Sequence, residues 1–384
     1  MAKLSCPVCG SGNLVESVGF RAPVFCNVLY KTREEAEQAR QADFQGVYCE
    51  DCGHFFNAIF DEALLEYSED YDTSLHFSAS FQDYATSLAD RLVSTYDLRG
   101  KSVIELGCGR GDFLRMVCEG HDNQGHGFDT SYDDRQSESA DFLSFYKNYY
   151  SAEYAEIPAD FVVCRHVLEH VPEPLTFLTE LRTISSWTPD TVVYFEVPNG
   201  MYSFAQLGIW DFIYEHFSYF NATSLRHVFE RAGFEVLAVE EGFGGQYLCI
   251  EARPSAVATA PVLETPSTVL EHLAVMDARY REKLETWRGL INDAGGAQLG
   301  VWGAGSKGVS FVNLLTDVPP ARVLIDVNPG KQGRYVPGTG QQVVGPEALA
   351  ETGVDLVVIM NPNYRSEIET TLRNQSVAAQ VLEA

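Results

Sequence analysis

The sequence predicts an α/β chain built from more than one domain. Two apolar, strand-like runs each open into a glycine loop and a helix, one over Ser102–Leu114 and one over Gln298–Leu315. A pair of C-x-x-C-G segments precedes both, and 384 residues is too long for one ordinary core. Boundaries are expected at 1–80, 81–254 and 255–384, the last opening on a Pro/Ala/Thr-rich linker at 253–266.

Composition removes several classes of partner. A net charge of −27 and the lack of any Lys/Arg run disfavour nucleic acid, whose phosphates need a basic stripe. No apolar run approaches the roughly 20 residues that span a bilayer, and Met1-Ala2-Lys3 leads straight into a polar segment, so a cytoplasmic, non-membrane protein without signal peptide is expected. The nine cysteines are an odd number and do not imply disulfides; Cys26, Cys108, Cys118, Cys164 and Cys249 sit in mostly apolar surroundings that suit buried thiols.

The first glycine loop is Glu105-Leu106-Gly107-Cys108-Gly109-Arg110-Gly111-Asp112. Gly107, Gly109 and Gly111 let the backbone turn tightly and approach a ligand, in a G-x-G-x-G spacing unlike the G-x-G-x-x-G dinucleotide fingerprint. Three glycines also make an ordinary βα turn. Against that, the next strand ends at Asp129, 18 positions after Gly111, where a carboxylate can accept both hydroxyls of a ribose. The run resembles motif I of class I S-adenosylmethionine (SAM) methyltransferases. That resemblance implies a class I SAM methyltransferase (Rossmann-like) domain, with Glu105 placed to orient the methionine part of the cofactor.

Cys6-Pro7-Val8-Cys9-Gly10 and Cys49-Glu50-Asp51-Cys52-Gly53 read as two knuckles that supply four thiolates to a tetrahedral zinc ion. A thioredoxin-like pair is the alternative, but it needs one C-x-x-C and a βαβ context. Four sulfurs leave no open position, so the zinc is structural and His54 is not a ligand. Between the knuckles, Thr32 and Glu35 form a capping box for a short helix. The segment after the module, with Tyr71, Ser74 and His76, is either a connector or a lid. A helix is expected over Phe81–Tyr96.

Further along, an aromatic ring within Tyr146–Tyr154 is placed to lie against adenine. The strand through Cys164 ends at Arg165-His166, and since ligands bind beyond the carboxyl ends of parallel strands, His166 is a cofactor candidate while His170 shapes the turn. The strand Thr191–Val197 ends at Asn199 on the same edge, and a hairpin-like pair over 234–252 closes the sheet.

Chemistry concentrates in Tyr214-Glu215-His216-Phe217-Ser218-Tyr219-Phe220. A carbon nucleophile for a sulfonium methyl arises by removing a proton next to a carbonyl, a task for an imidazole with a pKa near 7. A packed aromatic connector is the bland alternative. Glu-His-Phe-Ser-Tyr-Phe is similar to the E-H-x-S-Y-F signature of the sugar C-methyltransferases of deoxysugar biosynthesis, in which the His enolises a 4-keto nucleotide sugar. The resemblance implies His216 as base, Glu215 as the group that orients it or stabilises its charge, and a nearby Tyr or Asn199 as donor to the enolate oxygen. Family members commonly read Y-H-E-H, whereas this chain reads Ile213-Tyr214-Glu215-His216 and sets Tyr214 beside the Glu as a third catalytic candidate.

Near the C-terminus, Gly303-Ala304-Gly305-Ser306-Lys307-Gly308 does match G-x-G-x-x-G, and Asp326 follows Gly308 by 18 residues, the pattern of an NAD site. About 120 remaining residues suit only one mononucleotide-type half, with strands near 299, 323 and 355, and Lys307 suits a phosphate. Residues 326–339 also resemble the family's D-x-N-P-x-K-Q-G-x-x-x-P-G-T segment.

The expected function is therefore transfer of methyl from SAM to carbon of a keto sugar carried on a nucleoside diphosphate. Rivals are an O- or N-methyltransferase on a small metabolite, an NAD-linked oxidoreductase built on 298–384, and a zinc-containing scaffold. Sugar, nucleotide base, methylated carbon and oligomeric state stay open.

Overall fold

A computed structural model describes residues 4–65, 77–133, 140–184, 186–255, 265–294 and 298–384; the Tyr71, Ser74 and His76 segment lies outside them. At the N-terminus, β1 (Leu14–Pro23), β2 (Gln41–Cys49) and β3 (Phe55–Asn57) pair antiparallel. Between β1 and β2 the Thr32 hydroxyl accepts the Glu35 N–H and the Glu35 carboxylate accepts the Thr32 N–H, closing the capping box of helix Arg33–Glu37.

The second unit is a seven-stranded sheet. β4 (Ser102–Leu106), β5 (Gln124–Phe128), β6 (Leu143–Tyr146), β7 (Phe161–Arg165) and β8 (Val192–Pro198) run parallel in the order β6-β5-β4-β7-β8. β7 is buried along its whole length, as strands covered on both faces are, and helix Ala79–Tyr96 covers one face by packing Leu88, Leu92 and Val93 with Val103 and Val163. Next in the chain, β9 (Ser218–Tyr219) leaves this sheet and pairs with β3, becoming the fourth strand of the N-terminal sheet. β10 (Phe234–Gly242) and β11 (Tyr247–Pro254) then close the large sheet as an antiparallel pair, β11 lying against β8. This is the class I SAM methyltransferase fold.

The helical stretch after the linker breaks at Val275 into Ser267–Ala274 and Met276–Asp293. The break lets Leu273, Met276, Tyr280 and Trp287 face one core, which joins Phe44 and Phe55 of the N-terminal sheet to Val301 and Val309 of the C-terminal unit. That unit holds five parallel strands: β12 (Leu299–Trp302), β13 (Val323–Ile325), β14 (Gln342–Val344), β15 (Leu356–Ile359) and β16 (Gln380–Glu383), ordered β14-β13-β12-β15-β16. The edge strands β14 and β16, absent from the sequence-based expectation, are three and four residues long and half exposed, too short for periodicity to mark. The order reverses between β12 and β15, where ligands of open α/β sheets bind. Among the described residues no helix is long and apolar enough to cross a membrane.

Candidate active site

The carboxyl ends of β4, β5 and β7 and the loop after β12 open onto one cavity of about 850 Å³. Its walls include Gly107 and Asp129 at one end, His166, Glu169, His170 and His216 in the middle, and Gly303 with Gly305 to Gly308 at the other.

At the first end the chain folds as its glycines require. Gly107 has φ +68°, and a Cβ there would come within 2.2 Å of Val167, so both backbone and packing demand glycine. Gly109 lines the cavity, and its N–H donates to Asp129 Oδ2 at 2.9 Å. Asp129 Oδ1 accepts from the Ser131 N–H and hydroxyl at 2.7 and 2.6 Å, so the carboxylate also shapes the loop it faces. Gly111 departs from expectation: it lies behind the cavity wall as the N-cap of helix Asp112–Cys118, against the Phe145 ring. Glu105 lines the wall, accepts the Leu114 N–H at 3.1 Å, and is pushed up to about 8 by burial. In the aromatic stretch, Tyr146 and Tyr154 pack on Phe128, whereas Tyr149 is 73% exposed at the rim.

His166 is held tightly. Its φ is +56°, and its Nε2 and Nδ1 lie 3.0 Å from Glu196 Oε1 and 3.7 Å from Glu169 Oε1. Burial lowers its pKa, but the two carboxylates outweigh that and raise it to about 9. Glu196 is fully buried with Arg165 2.8 Å away, and it also accepts from the Tyr84 and Tyr194 hydroxyls. Burial raises the Glu196 pKa, but Arg165 and His166 hold the carboxyl below the ordinary range. Sequence reasoning passed over Arg165, Glu169 and Glu196; the available signal was a charge inside the apolar run Val192–Val197.

His216 lies half-buried in the middle of the cavity, its ring edge-on to His170 at 5.0 Å and its Nδ1 buried without a hydrogen-bond partner among the described residues. Burial and His170 pull its pKa down to about 3, below the value near 7 that sequence reasoning assumed, so the ring is neutral at ordinary pH.

Three of the residues expected beside it point elsewhere. The Glu215 carboxylate accepts the Cys26 N–H at 2.8 Å, because pairing of β9 with β3 draws the preceding turn onto the N-terminal module. The Tyr214 hydroxyl accepts the Asp61 N–H at 2.9 Å and its ring stacks on Phe60, 1% exposed and outside the cavity. Asn199 caps helix Gly200–Phe204 through Met201 N–H and donates to Gly245 O and Glu241, which uses its whole side chain away from the cavity.

At the far end, Lys307 Nζ sits 3.2 Å from Asp211, donates to Gln246 at 2.7 Å and lies over the Tyr202 ring. Gly308 permits helix Ser306–Leu314 to start directly against the loop, since a Cβ would fall 1.8 Å from Gly303 O. Asp326 accepts the Ala304 N–H at 2.9 Å, repeating on this sheet the bond that Asp129 makes with Gly109. A Cβ on Gly305 would sit 3.7 Å from Asn27 Oδ1 and 3.8 Å from Lys331 Nζ, so the N-terminal module flanks this loop too.

Away from the cavity, the sulfurs of Cys6, Cys9, Cys49 and Cys52 lie within 4.8 Å of one another, with the pairs Cys6–Cys52 and Cys9–Cys49 at 3.5 Å. A tetrahedron of Zn–S bonds of 2.3 Å places sulfurs about 3.8 Å apart, so the set fits that ion. His54 stays outside the cluster, bonded to Ser218 Oγ at 3.3 Å and packed on Phe220.

Comparison with known proteins agrees with this architecture. Residues 79–239 match the family model described as a methyltransferase domain, and residues 275–380 match the C-methyltransferase C-terminal domain. No curated protein sequence matches the chain. Similar solved structures include a putative SAM-dependent methyltransferase from Listeria monocytogenes, 13% identical over 45% of this chain and 99% of that one, with a TM-score of 0.35. Magnesium protoporphyrin IX methyltransferase from Synechocystis with bound S-adenosylhomocysteine is 17% identical over 46% and 84%, TM-score 0.35. A carbon methyltransferase, CurJ, is 15% identical over 47% and 56%, TM-score 0.36. This chain is therefore a SAM-dependent methyltransferase, in which a class I catalytic domain is followed by a C-methyltransferase C-terminal domain.

Proposed function

We propose that the enzyme methylates a carbon atom of a keto sugar attached to a nucleoside diphosphate, with His216 as the base. The observation that carries this reading is the single cavity: the Gly107/Asp129 loop, His216 and the Gly303–Gly308 loop with Lys307 all face it. Gly107, Gly109 and Asp129, with Glu105 and His166, are the residues that would hold SAM, which would supply the methyl group. The diphosphate lies against the loop after β12, where backbone N–H groups, Lys307 and Lys331 supply positive potential. The sugar then falls between them, at His216. His216 is neutral before reaction, which a proton acceptor must be. The four cysteines hold a structural zinc ion, and the N-terminal module it braces is what β9 and Glu215 dock against.

Tyr214 and Asn199 have no role at the reacting atoms in this reading, and Glu215 acts on the turn rather than on the imidazole. The test is incubation with a 4-keto nucleotide sugar in deuterated water without SAM. Exchange of the proton next to the carbonyl, followed by C-methylation when SAM is added, is the expected result. Methyl transfer to oxygen or nitrogen without exchange would replace this reading.

A further inference from the structure

Glu169 stands in the cavity wall, in the turn after β7, with 1% of its surface exposed. Its Oε2 has no hydrogen-bond partner among the described residues. A carboxylate taken out of water costs several kcal/mol unless donors or opposite charge compensate it. What surrounds this one is imidazole. His166 Nδ1 is 3.7 Å from Oε1, and one Glu169 oxygen lies within 4.8 Å of a ring nitrogen of His170 and of His216. His166 also faces Glu196 at 3.0 Å, so its one positive charge is shared between two carboxylates. His170 donates Nδ1 to the Glu215 carbonyl at 2.9 Å, which fixes its ring between Glu169 and His216.

We propose that Glu169 is a positioning residue for proton abstraction, the counter-charge that His216 requires when it becomes an imidazolium. This rests on the reading of His216 as the base. In the step, the proton next to the carbonyl moves to a ring nitrogen of His216 and the C–H electron pair becomes the enolate. The enolate carbon then attacks the sulfonium methyl, and the methyl–sulfur electron pair stays on sulfur as S-adenosylhomocysteine. The imidazolium later returns its proton to water. Without an anion at hand that proton would sit on a half-buried ring beside the cationic His166, where burial and like charge both oppose it. The groups facing His216 are His166, Glu169 and His170 from the turn after β7 and Tyr219 from β9, whose hydroxyl donates to Ile213 O. Glu215 is adjacent in sequence, but its carboxylate is turned to Cys26. Among the described residues Glu169 is thus the carboxylate that acts on His216 from the cavity side.

Two readouts on the full chain test the idea, using Glu169→Gln and, should that variant not fold, Glu169→Asp. Histidine-selective NMR follows the His166 titration, its signal identified by loss in His166→Gln. With the Glu169 charge removed, the His166 midpoint should fall by about one pH unit or more; with Asp it should fall by less. Exchange of the substrate proton with deuterated water should drop about 10- to 100-fold in Glu169→Gln, while the dissociation constant for SAM stays unchanged. A His166 midpoint equal to wild type shows that Glu169 carries no effective charge and overturns the proposal. So does a shifted midpoint with wild-type exchange. Wild-type protein that exchanges no proton of a keto nucleotide sugar overturns the base reading instead, and the NMR shift still reports separately on the charge at Glu169.

Discussion

The Glu215 carboxylate accepts the backbone N–H of Cys26 at 2.8 Å, across 189 positions of sequence, while the very next residue, His216, faces the cavity. Two neighbouring side chains therefore part ways: one ties the turn to the N-terminal module, the other lines the cavity. The strand Ser218–Tyr219 completes the connection by pairing with Phe55–Phe56. Glu215→Gln keeps an oxygen that can accept from Cys26 and is expected to keep turnover within about tenfold, whereas Glu215→Ala leaves a buried N–H unpaired and should lower stability by about 1–3 kcal/mol. Thermal melts set beside initial rates check this; a Gln variant as inactive as a His216 variant would return Glu215 to the chemistry.

His216→Ala is expected to lower turnover by roughly 10²–10⁴, the usual range for a lost general base, and to leave SAM affinity intact because the cofactor loops lie on other strands. His216→Asn should do nearly as badly. Single-turnover assays with calorimetric SAM binding separate the two quantities, and a variant with wild-type exchange and turnover removes His216 as base.

Asp129→Ala should weaken SAM binding by about 1.5–3 kcal/mol, the cost of losing hydrogen bonds to a charged group. Because Asp129 also accepts the Gly109 N–H, part of the loss should appear as a loosened loop. Hydrogen exchange at Gly109 alongside calorimetry tests both parts. An unchanged dissociation constant would move the cofactor elsewhere.

One equivalent of zinc should be found per chain, and Cys49→Ser should cost metal and folded protein more than it alters the chemical step. Metal analysis below half occupancy in protein purified without chelator would remove the zinc assignment. NAD should not bind measurably at the Gly303–Gly308 loop, and micromolar affinity in a fluorescence titration would revive the oxidoreductase.

Stability should depend on pH with opposite signs at two histidines. His166 titrates higher folded, about 9, than its ordinary 6.5, so its contribution is complete below pH 6.5 and lost as pH rises through 9. His216 titrates lower folded, about 3, so its contribution is complete above pH 6.5 and lost as pH falls toward 3. Melting temperatures across this range should show an alkaline decline that disappears in His166→Asn.

Local sequence decided much of this protein. The Gly107–Gly109 turn with its trailing Asp129, each C-x-x-C-G knuckle and the Thr32 capping box are short patterns of recognisable spacing; the turn and the capping box form as that spacing indicates, and the two knuckles bring their four sulfurs together. The class I fold was legible through the resemblance of the Glu105–Asp112 loop to motif I, and the strand order agrees with it. What neighbouring residues could not decide was where side chains on the Tyr214–Tyr219 segment point. That depended on a two-residue strand joining another module's sheet, a pairing without local signature, which turned Glu215 and Tyr214 out of the cavity and left His216 in it. The charges of the site were likewise set in part by contact between strands. Arg165 and Glu169 stand beside His166 in the chain, but Glu196 comes from the neighbouring strand, and only the folded sheet sets it against Arg165 and His166, where low dielectric makes their interactions strong.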